Sequence, residues 1–183
     1  MIPNRIVLDT NVCLDLFVFR DPRWQALLDA LRDGRLEAVS RTDCRKEWLI
    51  VLRYEHLRLD DAGRQRATAE FDALIRCVDL PAETPTDRQQ DAPAMPGDMG
   101  AAGVATDTGQ RAPLPVCRDP DDQKFLELAR DAEAQTLITK DKLLLKLARK
   151  TARAGLFDIL TPQAWTANHV ATKAIPGDAA PLA

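Results

Sequence analysis

The sequence predicts an α/β domain built on a parallel sheet of about five strands. Short apolar runs with strand character, Arg5–Leu8, Leu36–Val39, Cys77–Leu80, Thr136–Thr139 and Phe157–Leu160, alternate with stretches whose apolar residues recur at helical spacing, the pattern of βα units. Two of those runs also deliver an acid past their ends: Asp9 after the first, Asp141 after the fourth. In open parallel sheets, ligand sites lie outside the carboxyl ends of the strands. Both acids therefore stand where a site is expected.

Taken in order, Arg5–Leu8 leads into Asp9, Thr10, Asn11 and Val12. Alone, Asp9 reads as the cap of the next helix. Trp24–Arg32 is helical, with Trp24, Leu27, Leu28 and Leu31 on one face. After the strand Leu36–Val39, the helical pattern resumes from Thr42 to Leu57. Glu47 shares a face there with Ile50, Val51 and Tyr54. An acid on an apolar stripe is costly unless it is paired or binds a cation. The plain alternative is a rim Glu satisfied by Arg41 or Arg45. Asp60–Ile75 gives a further helix, and Cys77–Leu80 a third strand.

From Pro81 to Pro115 the composition shifts to Pro, Gly, Ala, Asp, Thr and Gln, with few large apolar residues. Such a stretch cannot bury enough surface to offset the entropy of ordering it. It is expected to be a disordered insertion, looped out of a single domain that spans 1–166. The residues 167–183 are expected to form a flexible tail.

The segment from Val116 to Asp141 is the most informative. Asp119 can cap a helix whose first position is Pro120, and Asp121 and Asp122 then sit in a first turn where the helix dipole favours negative charge. Phe125, Leu128, Ala129 and Ala132 follow at i, i+3, i+4 and i+7, the face of a helix packed on a core. Beyond Asp141, the residues Lys142–Arg153 read as one helix, with Lys142, Lys146, Arg149, Lys150 and Arg153 within an arc of about 100°. That face is either simply solvated or suited to tracking a phosphate backbone. A last helix begins at Thr161-Pro162 and carries Trp165.

The chain has 183 residues, 45% of them hydrophobic, and a formal net charge of −3. No apolar run is long enough to span a membrane, and the first residues lack the apolar core of a signal peptide, so a cytoplasmic protein is expected. Cys13, Cys44, Cys77 and Cys117 form no C-x-x-C pair. They read as reduced thiols, and with two histidines a structural zinc site is not expected.

The candidate site residues are thus Asp9, Glu47, Asp122 and Asp141, with Asp119 and Asp121 beside Asp122; periodicity does not separate Asp119 from Asp122. Carboxylates brought together repel and need cations to be stable. Oxygen-only ligands suit Mg²⁺ or Mn²⁺, and such a site can serve phosphodiester hydrolysis.

The motifs V-L-D-T-N-V (Val7–Val12), R-K-E-W-L-I-V-L-R (Arg45–Arg53), C-R-D-P-D-D-Q-K-F-L-E-L-A (Cys117–Ala129) and L-I-T-K-D-K-L-L-L (Leu137–Leu145) resemble the PIN-domain family, and most closely its toxin components of toxin–antitoxin systems. The resemblance implies a three-layer α/β/α sandwich and a Mg²⁺- or Mn²⁺-dependent endoribonuclease. It implies Asp9, Glu47, Asp122 and Asp141 as metal-holding catalytic acids that activate a water, with Asn11 and Thr139 orienting the first and fourth. RNA is the implied substrate, and the implied protein partners are a cognate antitoxin and a second copy of the chain.

Two further readings stand beside this one. A non-catalytic PIN-like module would hold RNA or a protein without cutting, and a PIN nuclease of RNA processing would cut without toxicity. A haloacid-dehalogenase-type phosphatase also opens on a strand and an Asp, but its second Asp is here Asn11, which cannot serve as acid or base.

Overall fold

The computed structural model describes residues 4–80 and 112–172. Five parallel strands form the sheet: β1 (Asn4–Leu8), β2 (Leu36–Ser40), β3 (Ile75–Cys77), β4 (Thr136–Ile138) and β5 (Asp158–Leu160). Their spatial order is β3-β2-β1-β4-β5. The chain builds outward from β1 in one direction, then returns to β4 and builds outward in the other. The switch point between β1 and β4 is where a parallel sheet opens a crevice at its carboxyl edge.

Because side chains alternate across a strand, each strand feeds both faces of the sheet. Ile6, Leu8, Ala38 and Ile138 point into one core, with Trp24, Leu27, Trp48, Phe71 and Trp165. Val7, Val39, Leu137 and Ile159 point into the other, with Phe125, Leu128, Ala129 and Leu144. Helices cover both faces, so the fold is the three-layer α/β/α sandwich expected.

On the first face, α1 (Thr10–Cys13) runs straight into a π-helical turn, Leu14–Val18, and is followed by α2 (Gln25–Arg32). The stripe Trp24, Leu27, Leu28 and Leu31 is buried as its spacing predicts. Next come α3 (Thr42–Val51) and α4 (Asp61–Leu74), the latter capped by Asp60, whose side chain accepts from the Gly63 amide at 2.6 Å. On the other face, α5 (Gln123–Asp131) starts through a short 3₁₀ turn, Pro120–Asp122, that Asp119 caps. Here too the predicted face, Phe125, Leu128, Ala129 and Ala132, is buried. The chain ends in α6 (Lys142–Leu145), α7 (Ala148–Arg153) and α8 (Pro162–Thr172).

Several sequence expectations need correction. The helix over Thr42–Leu57 stops at Val51; Tyr54 is extended, and Glu55–Leu57 forms a separate 3₁₀ turn. The third strand starts earlier than Cys77, because Ile75, expected to be helical, takes extended geometry at the end of α4 and pairs with Ala38. A β-branched residue suits that position.

The single helix over Lys142–Arg153 is two. Leu147 and Lys150 bond back three residues, to Leu144 and Leu147, which tightens the turn between α6 and α7. The last helix runs to Thr172, into the segment expected to be a flexible tail from 167. Most of the expected insertion, residues 81–111, and the tail beyond 172 lie outside the described residues. Its last residues are held against α5, where the Ala112 carbonyl accepts from Arg130 at 3.2 Å and Leu114 packs on the second core.

One buried ion network was not legible beforehand. The Arg41 guanidinium, 2% exposed, donates to Asp43 at 2.7 Å and to the wholly buried Glu127 at 3.0 Å. It joins the end of β2 to α5 and so fixes the helix whose start brings Asp122 to the carboxyl edge.

Candidate active site

Asp9 and Asp141 come from the ends of adjacent strands. The Asp9 amide donates to the Ile138 carbonyl at 3.0 Å, which extends the β1–β4 ladder to the first acid. Asp9 is 4% exposed. Its Oδ2 accepts from the Asn11 amide group at 2.6 Å and from the Thr139 hydroxyl at 2.5 Å. That hydroxyl also accepts from the Asp141 amide at 2.8 Å. Thr139 therefore joins both acids through one oxygen. Asn11 Oδ1 accepts from the Lys140 amide at 3.2 Å, a second tie across the same switch point.

Both acids also cap helices. Asp9 accepts weakly from the Asn11 backbone amide at 3.4 Å at the start of α1. Asp141 Oδ1 accepts from the Leu143 and Leu144 amides, at 2.6 and 3.1 Å, at the start of α6. The capping reading of Asp9 and its reading as a site acid are thus compatible, since a capping carboxylate has a second oxygen.

Glu47 departs from its expected setting. Ile50 and Tyr54, its predicted apolar neighbours on one face, are 57% and 48% exposed; the buried line of α3 is Cys44, Trp48 and Leu52. The run Trp48–Leu52 is apolar throughout and fits more than one helical phase, which is why spacing chose the wrong face. Arg41 and Arg45 do not satisfy Glu47, since Arg45 pairs with Asp72 at 2.6 Å and Arg41 lies in the buried network. Instead Glu47 accepts from the Thr10 hydroxyl at 2.6 Å and pairs with the Lys124 ammonium.

Asp122 shows how closely the acids gather. Burial, then the charges of Asp9, Asp141, Asp119 and Glu47, push its carboxyl up to about 7. Burial raises Asp9 as well, with Glu47 adding to it, while the Thr139 and Asn11 hydrogen bonds pull the other way. The acids from β1, α3, the α5 start and β4 thus share one electrostatic neighbourhood. Among the described residues, Asp122 has no hydrogen-bonding partner on its side chain, whereas Asp119 is engaged as a cap, accepting from the Asp121 amide at 3.0 Å. This difference separates two acids that periodicity left equivalent.

Among the described residues, no three His, Cys, Asp or Glu side chains stand close enough to close on one ion. The hydrogen bonds above hold the carboxylates in their present rotamers. The donor set itself is oxygen-only, which suits a hard divalent cation of the Mg²⁺ or Mn²⁺ type rather than zinc or copper.

Lys142, Lys146, Arg149, Lys150 and Arg153 are all exposed on α6, α7 and the turn between them. They do not lie on one continuous helix. Residues that sequence reading missed include Lys124, which enters the acid group, and Asp15 on the π-helical turn. Asp15 is 6% exposed and holds the Trp24 indole at 3.1 Å and Lys140 at 2.6 Å. A lone Lys on a helix start and a lone Asp in an apolar run carry no spacing signal. Among the described residues no helix is long and apolar enough to cross a membrane.

A family model described as PIN domain matches residues 5–143, the stretch that holds all of these acids. No curated protein and no solved structure matches the chain.

The raised carboxyl of Asp122 gives a stability prediction. Its folded value of about 7 lies above the ordinary 3.8, so its stabilising contribution is complete below about pH 4 and is lost as pH rises through about 7. In EDTA, Asp122→Asn should therefore match the parent near pH 4 and melt higher at pH 8, by about 2–4 °C for each kcal/mol of repulsion relieved. Thermal melts at both pH values check this; a variant that melts lower at pH 8 contradicts it.

Proposed function

The chain belongs to the PIN-domain family, whose fold is that of nucleases, and on that premise we propose that it is a Mg²⁺- or Mn²⁺-dependent endoribonuclease. The observation that carries the reading is the tie of Asp9 to the Asp141 amide through the Thr139 hydroxyl at the switch point, with Asp122 near enough to feel the charges of Asp9, Asp141 and Glu47. Such repulsion is kept in a fold where a cation is to offset it.

Asp9, Asp122 and Asp141 offer the oxygens that would hold the ion, with Glu47 as the fourth acid beside them. Bound there, a divalent cation supplies Lewis acidity, easing ionisation of the attacking water and offsetting charge on the leaving oxygen. The protein residues fix the geometry. Thr139 and Asn11 lock the Asp9 carboxylate, and the Leu143 and Leu144 amides lock one oxygen of Asp141, leaving the other oriented. With a cation held there, the ionised form of the Asp122 carboxyl would be favoured. Hydrolysis then forms a bond from water oxygen to phosphorus and breaks the bond from phosphorus to the leaving sugar oxygen, which takes up a proton.

RNA, rather than a small phosphodiester, is supported by the exposed Lys142, Lys146, Arg149, Lys150 and Arg153, which begin one residue beyond Asp141 and suit a phosphate backbone. The toxin role, with a cognate antitoxin and a second copy of the chain as partners, rests on the motif resemblance. A nuclease of RNA processing and a non-cutting module are its competitors.

Asp9→Asn and Asp141→Asn should each lower Mn²⁺-dependent cleavage of single-stranded RNA by about 100-fold or more with the fold kept; a variant that cuts like the parent removes that acid from the site. In a toxin, expression of the parent arrests growth and Asp9→Asn does not; growth unaffected by an active parent favours RNA processing. Lys146→Glu with Lys150→Glu should weaken RNA binding and make its dependence on log salt shallower by about 1.4, or 0.7 for each phosphate no longer neutralised. Unchanged binding returns these residues to a solvated surface.

A further inference from the structure

Glu47 differs from the other acids in what holds it. One oxygen accepts from the Thr10 hydroxyl at 2.6 Å, and the other is paired with the Lys124 ammonium. Both oxygens are engaged, while Asp122 keeps its oxygens clear among the described residues. Thr10 adjoins Asp9, and Lys124 lies two residues beyond Asp122 on the same helix start. The clasp on Glu47 therefore ties the elements that bring in the first and third acids.

Three cations close to these acids in sequence are directed elsewhere. Arg41 pairs with Asp43 and Glu127, Arg45 with Asp72, and Lys140 with Asp15. Lys124 instead places its ammonium on Glu47, with its side chain half-buried at 17% exposed.

A phosphodiester is an anion, and the transition state of its hydrolysis carries further negative charge on the non-bridging oxygens. A group of carboxylates opposes that charge, and a positioned ammonium meets it with charge-assisted hydrogen bonds. Lysine does this as a compact point charge on a flexible stem, so it needs a partner to place it. Glu47, itself held by Thr10, is that partner.

We infer that Lys124 is a catalytic residue that contacts a non-bridging oxygen of the substrate phosphate, and that Glu47 is its positioning residue rather than a direct ligand of the cation. The inference rests on the nuclease reading above. It differs from that reading in one assignable consequence: neutralising Lys124 or Glu47 spares metal binding.

The test compares the parent, Lys124→Met, Lys124→Arg and Glu47→Gln. Mn²⁺ binding is measured by calorimetry without RNA, and cleavage of a fluorescent single-stranded RNA is followed at several salt concentrations. Lys124→Met should keep its Mn²⁺ Kd within about threefold of the parent and lose about 100-fold or more in kcat/KM, the loss seen when one transition-state donor is removed. Its dependence of log KM on log salt should be shallower by about 0.7, one single-strand phosphate contact. Lys124→Arg should recover most of the rate, and Glu47→Gln should lose rate with Mn²⁺ affinity kept. Cleavage by Lys124→Met within about threefold of the parent overturns the inference, as does a tenfold or greater loss of Mn²⁺ affinity in either neutralised variant. If Lys124→Met does not fold, the Mn²⁺ affinity of Glu47→Gln decides alone. A parent that neither binds Mn²⁺ nor cuts overturns the nuclease reading, and this inference with it.

Discussion

The hydroxyl of Thr139 is the contact on which the arrangement of the site depends. It donates to Asp9 at 2.5 Å and accepts from the Asp141 amide at 2.8 Å. Those bonds link the ends of the two central strands, at the place where the sheet changes direction of growth. The residue is wholly buried, so its bond to Asp9 is shielded from water. A neutral hydroxyl thus ties the ends of β1 and β4, satisfying the Asp9 carboxylate and holding the backbone amide of Asp141.

Around this point the helices serve two purposes at once. Asp9 and Asp141 open α1 and α6, so the free amides of each helix start absorb part of the negative charge. Asp119 does the same for the turn ahead of α5, leaving Asp122 unpartnered among the described residues and raised to about 7. The Arg41–Glu127 pair, deep between β2 and α5, sets where that turn stands. Removing one partner of such a buried pair costs about 3–5 kcal/mol. The site therefore rests on rigid elements, as sites that demand accurate placement do.

Much of this was legible in the sequence, because strands followed by acids and a Pro-led helix start are local signals. Asp9, Asp122, Asp141, Asn11 and Thr139 all lie in such stretches, and they lie together in the fold. What failed was phase and continuity. The unbroken apolar run Trp48–Leu52 concealed which side of α3 is buried, so two of the three apolar neighbours given to Glu47, Ile50 and Tyr54, prove to be exposed. The break between α6 and α7 comes from two tightened backbone bonds that no residue type announces. Lys124, Asp15 and the Arg41–Glu127 pair depend on partners far away in sequence, and single-chain periodicity cannot report such pairs. The expectation that these acids act together comes from the family motifs, not from spacing.

The central claim is that Asp9, Asp122 and Asp141, from the ends of β1 and β4 and the start of α5, form one cation-dependent site. Calorimetric titration of Mn²⁺ at about pH 6.5, just below the raised Asp122 value, into the parent and into an Asp9→Asn/Asp141→Asn double variant tests it most directly. The account predicts saturable binding by the parent, accompanied by proton release as Asp122 ionises, and loss of that binding in the double variant. Equal binding by both proteins, or none by the parent, contradicts it.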